Sequence, residues 1–282
     1  MYTARITREH RTAFIILCDH SGSMTEEVEY GGETVTKADA LSHIINMMLE
    51  ELINRSRREE GIKDYFDIGV IGYSGEGVSM LLPEKKKLIT ASQLSRMPAG
   101  TIRRHVMRML PDGRQIRAVT EQRQWIEARA MGNTPMYEAL CRAETIVREW
   151  CHSTRNRSSF PPIVINITDG EATDACYADL LSCASRIKSL STDDGNALLF
   201  NIHISGGGTR ISLPGDGIEL PDIPHAKLLY DMSSDLPECY NRLVEPGGCN
   251  GMPPYRAVSY NCPIDELYGM LALGTITSNF AI

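Results

Sequence analysis

The chain has 282 residues, 42% of them hydrophobic and 23% charged, which supplies a sizeable core and argues against wholesale disorder. Its formal net charge of −7 disfavours general nucleic-acid binding while leaving room for a local basic patch. The one apolar run near the N-terminus, Ala13–Cys18, is too short for a secretory segment or a membrane span, so the expectation is a cytoplasmic protein without a membrane anchor. Eight cysteines lie at wide, irregular spacing with no C-x-x-C pair, which fits reduced thiols better than a disulfide framework.

Apolar runs alternate with helical patterns, the signature of a mostly parallel sheet covered on both faces. Ala13–Cys18 reads as the first strand. After a polar loop, Lys37 to about Arg57 carries Ala40, Leu41, Ile44, Ile45, Met48, Leu49 and Leu52 at helical spacing. Phe66–Tyr73 reads as a second strand, and Val78–Leu82 as its hairpin partner at the sheet edge.

Residues from about 91 to 130 break the pattern. Eight arginines lie between 96 and 129, and Pro111-Asp112-Gly113 splits Val106–Val119, which predicts an inserted, protruding hairpin. Pro135 then opens a helix that runs to about Trp150. Ile163–Thr168 predicts a central strand, 176–190 a helix and Ala197–Ile204 another strand. Residues from about 205 to 255 are rich in Gly and Pro and read as an elaborated loop region, with a short helix near 235–243. A strand over Ala257–Asn261 and a helix over Ile264–Leu273 close the chain, giving one domain over 1–282.

Polar residues concentrate at two strand ends. Ala13–Cys18 runs into Asp19-His20-Ser21-Gly22-Ser23, and Ile163–Thr168 runs into Asp169-Gly170. Parallel strands bring their carboxyl ends to one edge, where ligands of open α/β sheets sit, so these side chains can converge. Oxygen donors suit a hard cation: Ser21, Ser23 and Thr134 can offer hydroxyls directly, while Asp19 and Asp169 hold coordinated water. An ion with mostly neutral direct ligands keeps positive character and attracts a partner's carboxylate. The plainer reading of D-x-S-x-S is a turn with local hydrogen bonds.

Three segments, FIILCDHSGSM, GNTPMYEAL and VINITDGEATD, resemble the three parts of the metal-ion-dependent adhesion site of von Willebrand factor type A (vWA) domains, in the order that family requires. The resemblance implies a Rossmann-like, mostly parallel six-stranded sheet with one antiparallel edge strand and helices on both faces. It also implies Mg²⁺, or Mn²⁺, held by Asp19, Ser21, Ser23, Thr134 and Asp169 and completed by an Asp or Glu of a protein partner. The segments PPIVINITDGEATD, STDDGNALLFNIHIS and LLYDMSSDLP are similar to bacterial intracellular members of the family. That likeness points to partners such as a phosphatase or kinase encoded nearby. Members can also shift the last helix, here Ile264–Leu273, when the acidic ligand binds.

Other signals compete with this reading. Glu171 and Asp174 either tune the outer shell of the metal or favour a helix start through its dipole. His20 lies inside the motif, where packing is the ordinary role, and His203 reads as a core histidine. Gly72-Tyr73-Ser74-Gly75-Glu76 lacks the last glycine of a nucleophile elbow, and there is no P-loop. No base or nucleophile stands out, so metal-assisted hydrolysis ranks below binding, and the chain reads as a non-enzyme. RNA binding through the arginines of the insert, with His105 and Trp125, is the alternative function.

Overall fold

Strand-forming runs that are apolar at every position cannot sit on an open face, and here they are buried on both sides. The computed structural model describes residues 1–109, 115–205, 207–244 and 251–275. In chain order the main elements are β1 (Thr12–Asp19), β2 (Glu27–Tyr30), β3 (Glu33–Thr36), α1 (Lys37–Arg55), β4 (Phe66–Ser74), β5 (Gly77–Met80) and β6 (Ile89–Thr90). The insert supplies β7 (Gly100–Met109) and β8 (Gln115–Gln124). Then come α2 (Met136–His152), β9 (Ile163–Thr168), α3 (Tyr177–Ser189), β10 (Leu198–Ile204), β11 (Ile211–Ser212), α4 (Pro224–Met232), β12 (Val258–Cys262) and α5 (Leu267–Thr275).

The central sheet runs β11-β12-β10-β9-β1-β4-β5, with β6 also paired to β4. β12, β10, β9, β1 and β4 are parallel, and β5 is the antiparallel edge. These are the six strands expected from the sequence, extended by the two-residue antiparallel strands β6 and β11. All eight residues of β1 are buried. Phe14, Ile16 and Cys18 pack with α1, whereas Ile15 and Leu17 pack with α2 and α3, so alternation along one strand feeds two cores. A polar relay crosses the sheet inside this apolar frame. The Tyr73 hydroxyl lies 3.0 Å from Asn166 Oδ1, Asn166 Nδ2 donates to Asn201 Oδ1 at 3.1 Å, and Asn201 Nδ2 donates to Ser233 Oγ at 2.9 Å.

Three regions differ from the sequence reading. The polar loop after β1 contains the β2–β3 hairpin, turned at Gly31 and Gly32, both with positive φ. The 205–255 region holds α4, which packs Ala226 and Leu229 against Val258 and Tyr260 of β12. The short helix expected near 235–243 is a 3₁₀ turn, Glu238–Tyr240, followed by one turn of α-helix, Asn241–Val244. In the insert, β7 and β8 pair in antiparallel register as a hairpin over a wider span than Val106–Val119, and the expected turn at 111–113 lies outside the described residues. Its base is fixed to α1: Asn46 Oδ1 accepts from the Trp125 and Ile126 amides at 2.8 and 3.1 Å, and Arg123 makes a paired contact with Glu50.

Candidate metal centre

The carboxyl ends of β1 and β9 are adjacent because the two strands pair directly in parallel, with Cys18 beside Ile167. Asp19 and Asp169 therefore emerge side by side at one edge of the sheet. Asp19 is fully buried. Its carboxylate accepts from the Ser21 amide at 2.8 Å and from the Thr168 hydroxyl at 2.7 Å. Burial raises its pKa above the usual carboxylate value, an effect that the hydrogen bonds from Ser21 and Thr168 only partly offset and that neighbouring Asp169 reinforces.

The loop after β1 turns back as a single 3₁₀ turn, Gly22–Thr25, which brings the Ser21 and Ser23 hydroxyls to 3.1 Å from each other. Ser23 then donates to Asp169 Oδ1 at 2.5 Å. The other oxygen of Asp169, whose side chain is wholly buried, accepts from the Lys37 ammonium at 3.0 Å. Lys37 opens α1, and its ammonium also contacts Glu26 at 2.6 Å. Burial alone would lower the Lys37 pKa, but Glu26 and Asp169 outweigh it and raise the pKa.

Thr134 reaches the same edge from a third segment. Its loop is stitched to the ends of β1 and β4 by three backbone bonds: Met131 N–H to His20 O at 2.7 Å, Gly22 N–H to Gly132 O at 2.8 Å, and Gly75 N–H to Met131 O at 2.9 Å. A side-chain carbon added at Gly75 would lie 2.7 Å from Gly132 Cα, and one added at Gly132, where φ is +68°, would lie 2.7 Å from Gly75 Cα. Only two glycines let these loops cross so closely. Thr134 and Thr173 exchange bonds, each accepting from the other's amide at 3.0 Å, which joins this loop to the one that follows β9.

The residues present fit a hard divalent cation. A carbon built on Gly170 would sit 3.9 Å from the Ser23 hydroxyl and 4.0 Å from the Thr134 hydroxyl, so the two hydroxyls flank the same point of the loop after β9. Neutral donors alone face the buried Asp19 carboxylate among the described residues, a charge that a cation would stabilise. Among those residues no group of three or more His, Cys, Asp or Glu side chains gathers as a cage. The donor set here is two carboxylates with hydroxyls, a type suited to Mg²⁺ that retains water.

The remaining sequence candidates make other contacts. His20 is buried against Gly72 and borders a separate cavity with Ser74, Ser79 and Arg129; burial, aided by Arg129, pushes its pKa down to about 4. Asp174 accepts from the Tyr137 and Glu138 amides at 3.1 and 2.9 Å, capping the start of α2. Its partners are the amides of the preceding helix, not of the one it leads into. Glu171 is exposed, near enough to Tyr260 to help raise the phenol's pKa, after burial. His203 accepts from the Asn261 amide at 3.3 Å, stacks on Tyr260 and bonds the Asp169 backbone, so it packs as a core histidine directly beside the candidate site. Sequence reasoning missed Lys37, Thr168, Gly75 and Gly132. The glycine pair left the only readable trace, since each lies next to a candidate element end.

No protein-family model matches the sequence, and no curated protein is significantly similar to it. Several solved structures are similar in fold at low identity. A von Willebrand factor type A protein from Catenulispora acidiphila is 16% identical, with a TM-score of 0.39, over 70% of this chain and 34% of its own; this chain thus spans about a third of that protein's length. The vWF domain of the type V pili tip protein Mfa5 from Porphyromonas gingivalis is 10% identical, with a TM-score of 0.42, over 93% of both chains. An uncharacterised membrane-spanning protein from Vibrio fischeri is 15% identical, with a TM-score of 0.29, over 72% of this chain and 74% of its own. Among the described residues, no helix of this chain is long and apolar enough to cross a membrane.

Proposed function

We propose that the protein is a metal-dependent protein-interaction module and not an enzyme. In this reading a single domain over 1–282 carries the site, and the insert at about 91–130 and the region at about 205–255 are elaborations of it. Asp19, Ser21, Ser23, Thr134 and Asp169 hold Mg²⁺, with Mn²⁺ as a substitute, and a carboxylate of a protein partner completes the coordination. The observation that carries the reading is the run of contacts Ser21–Ser23–Asp169 beside the buried Asp19, with the Thr134 hydroxyl as near to Gly170 as that of Ser23. When bound, the ion supplies a positive centre for an acidic ligand. Asp19 and Asp169 contribute charge, and the hydroxyls contribute neutral oxygens that leave much of that positive charge unspent. The segments quoted above that resemble vWA adhesion sites support the same residues. A cytoplasmic location and a phosphatase or kinase partner belong to this proposal through that resemblance alone.

RNA binding through the insert has less support. Of its arginines, Arg103 is paired with Glu121 at 3.1 Å and Arg123 with Glu50 at 2.6 Å, so each contributes little free charge to a phosphate surface. The side chains of Arg104, Arg108, Arg114 and Arg117 lie outside the described residues.

Titration calorimetry with Mg²⁺ tests the site, and capture from the source lysate in Mg²⁺ or in EDTA tests the function. Asp19→Ala and Asp169→Ala are expected to abolish Mg²⁺ binding in a folded protein. Thr134→Ala should weaken partner capture more than it weakens folding. Unchanged Mg²⁺ affinity in both Asp variants would remove the site assignment, and capture indifferent to EDTA would remove the metal bridge.

A further inference from the structure

We infer that Lys37 is a tethered cation that competes with the divalent ion for the carboxylate of Asp169 and so sets how tightly the site holds metal. The inference rests on the metal reading above and concerns one residue which that reading does not use.

The position of Lys37 is costly for an ordinary surface lysine. It is the first residue of α1, directly after the Thr36 cap, where the positive end of the helix dipole repels a cation. Its side chain is only 9% exposed, so the ammonium has given up most of its hydration. What offsets both costs is contact with two carboxylates, Asp169 at 3.0 Å and Glu26 at 2.6 Å. Asp169 meanwhile gives its other oxygen to Ser23 at 2.5 Å, so one carboxylate is shared between a candidate metal ligand and a protein cation.

Charge counting sets the direction of the effect. A dication between Asp19 and Asp169 makes a neutral group, and Lys37 adds a positive charge in contact with one of the two anions. That charge repels the incoming ion and already satisfies part of the field that would attract it. Glu26 offsets it only in part, because its side chain is 65% exposed and its charge is screened by water. Glu26 also gives the ammonium a second acceptor, so that releasing Asp169 does not strand Lys37. There is room for that release: Lys37 borders a cavity of about 450 Å³ with Ser205, Asn261 and Val28. The cation also cannot be a chance neighbour of the loop. The Lys37 amide donates to Glu26 O at 2.8 Å, which ties the base of the β2–β3 hairpin to the start of the helix.

The test is the affinity for Mn²⁺ alone, followed by electron paramagnetic resonance, with calorimetry for Mg²⁺, on the full chain. Lys37→Met removes the charge and keeps an unbranched apolar stem in a nearly buried position, and Lys37→Gln is the second neutral variant should the first fail to fold. Both should bind Mn²⁺ about tenfold more tightly than the wild type, the scale expected for one unit charge acting at short range in a partly solvated site. Lys37→Arg should stay within about twofold of the wild type, because the charge remains. Glu26→Gln should bind more weakly, since Gln offers the ammonium only a neutral acceptor and leaves Asp169 as its one charged partner. Equal affinity in the wild type and the neutral variants, with binding lost in Asp19→Ala, overturns the role of Lys37 and leaves the metal reading standing. Absence of binding in the wild type and in every Lys37 variant overturns the metal reading and this inference together.

Discussion

A buried carboxylate that meets only neutral donors weakens the fold that contains it, and Asp19 allows that statement to be tested. Asp19→Asn removes the charge but conserves the hydrogen bonds. Asn Oδ1 can still accept from the Ser21 amide, and Asn Nδ2 can donate to Thr168 Oγ1, whose own proton then goes to Gly170 O, already 2.9 Å away. With packing retained, the variant should gain about 2 kcal/mol in metal-free buffer above the folded pKa, the order of magnitude for removing a buried charge that no opposite charge meets, and melt roughly 4 °C higher. The wild type should behave oppositely toward metal, gaining about 2.7 kcal/mol when free Mg²⁺ is a hundredfold above Kd, whereas Asp19→Asn should gain nothing. The pH dependence follows from the same carboxylate. Because burial raises its folded pKa above the unfolded value, the native state holds more protons than the unfolded chain across that interval. Its contribution to metal-free stability therefore falls as pH rises from the ordinary aspartate range through the folded pKa, and the fall should be absent in Asp19→Asn. Urea denaturation in EDTA and in Mg²⁺, at several pH values, reads all three effects. A variant less stable than the wild type in EDTA, at a pH above the folded pKa, would refute the argument.

Three further substitutions separate the roles around the site. Tyr73→Phe takes a donor from Asn166 Oδ1 and Ile167 O, each 3.0 Å away in a buried setting, and should cost about 1–2 kcal/mol in urea denaturation while Mg²⁺ affinity stays within about twofold. Gly132→Ala forces a carbon to 2.7 Å from Gly75 at positive φ, so calorimetry should record at least about a tenfold loss of Mg²⁺ affinity as the Thr134 loop is displaced, together with about 1–3 kcal/mol of stability. Asp174→Ala removes the cap of α2 and should cost about 1 kcal/mol with Mg²⁺ affinity preserved; a large loss of affinity would return Asp174 to the surroundings of the metal.

The sheet was legible because its strands are buried on both faces. Ile163–Thr168 has no exposed position to dilute its apolar run, so its observed bounds coincide with those read from the sequence. Short elements whose stability comes from tertiary contacts were not. The helix Pro224–Met232 is nine residues long in a region rich in Gly and Pro, and it exists because Ala226 and Leu229 meet Val258 and Tyr260, which are some 30 residues further along the chain. The β2–β3 hairpin was readable in principle. Val28, Tyr30 and Val35 flank Gly31-Gly32, a pair suited to a turn with positive φ, but the charged residues between them gave the segment the look of a polar loop.

The site divides in the same way, and the division follows from the reach of each interaction. Asp19 and Asp169 were visible because each terminates a buried strand, and an ionisable group directly after an apolar run needs a reason to be there. Lys37 was invisible because a lysine at the edge of an amphipathic helix is ordinary until the fold carries Asp169 to within 3.0 Å of it. The donors of the proposed metal centre can thus be read locally, from strand ends and a D-x-S-x-S run, whereas the charge proposed to oppose the metal depends on a contact across 132 residues of sequence. Described by its donors alone, the proposed centre would be assigned an affinity that ignores a buried ammonium 3.0 Å from Asp169.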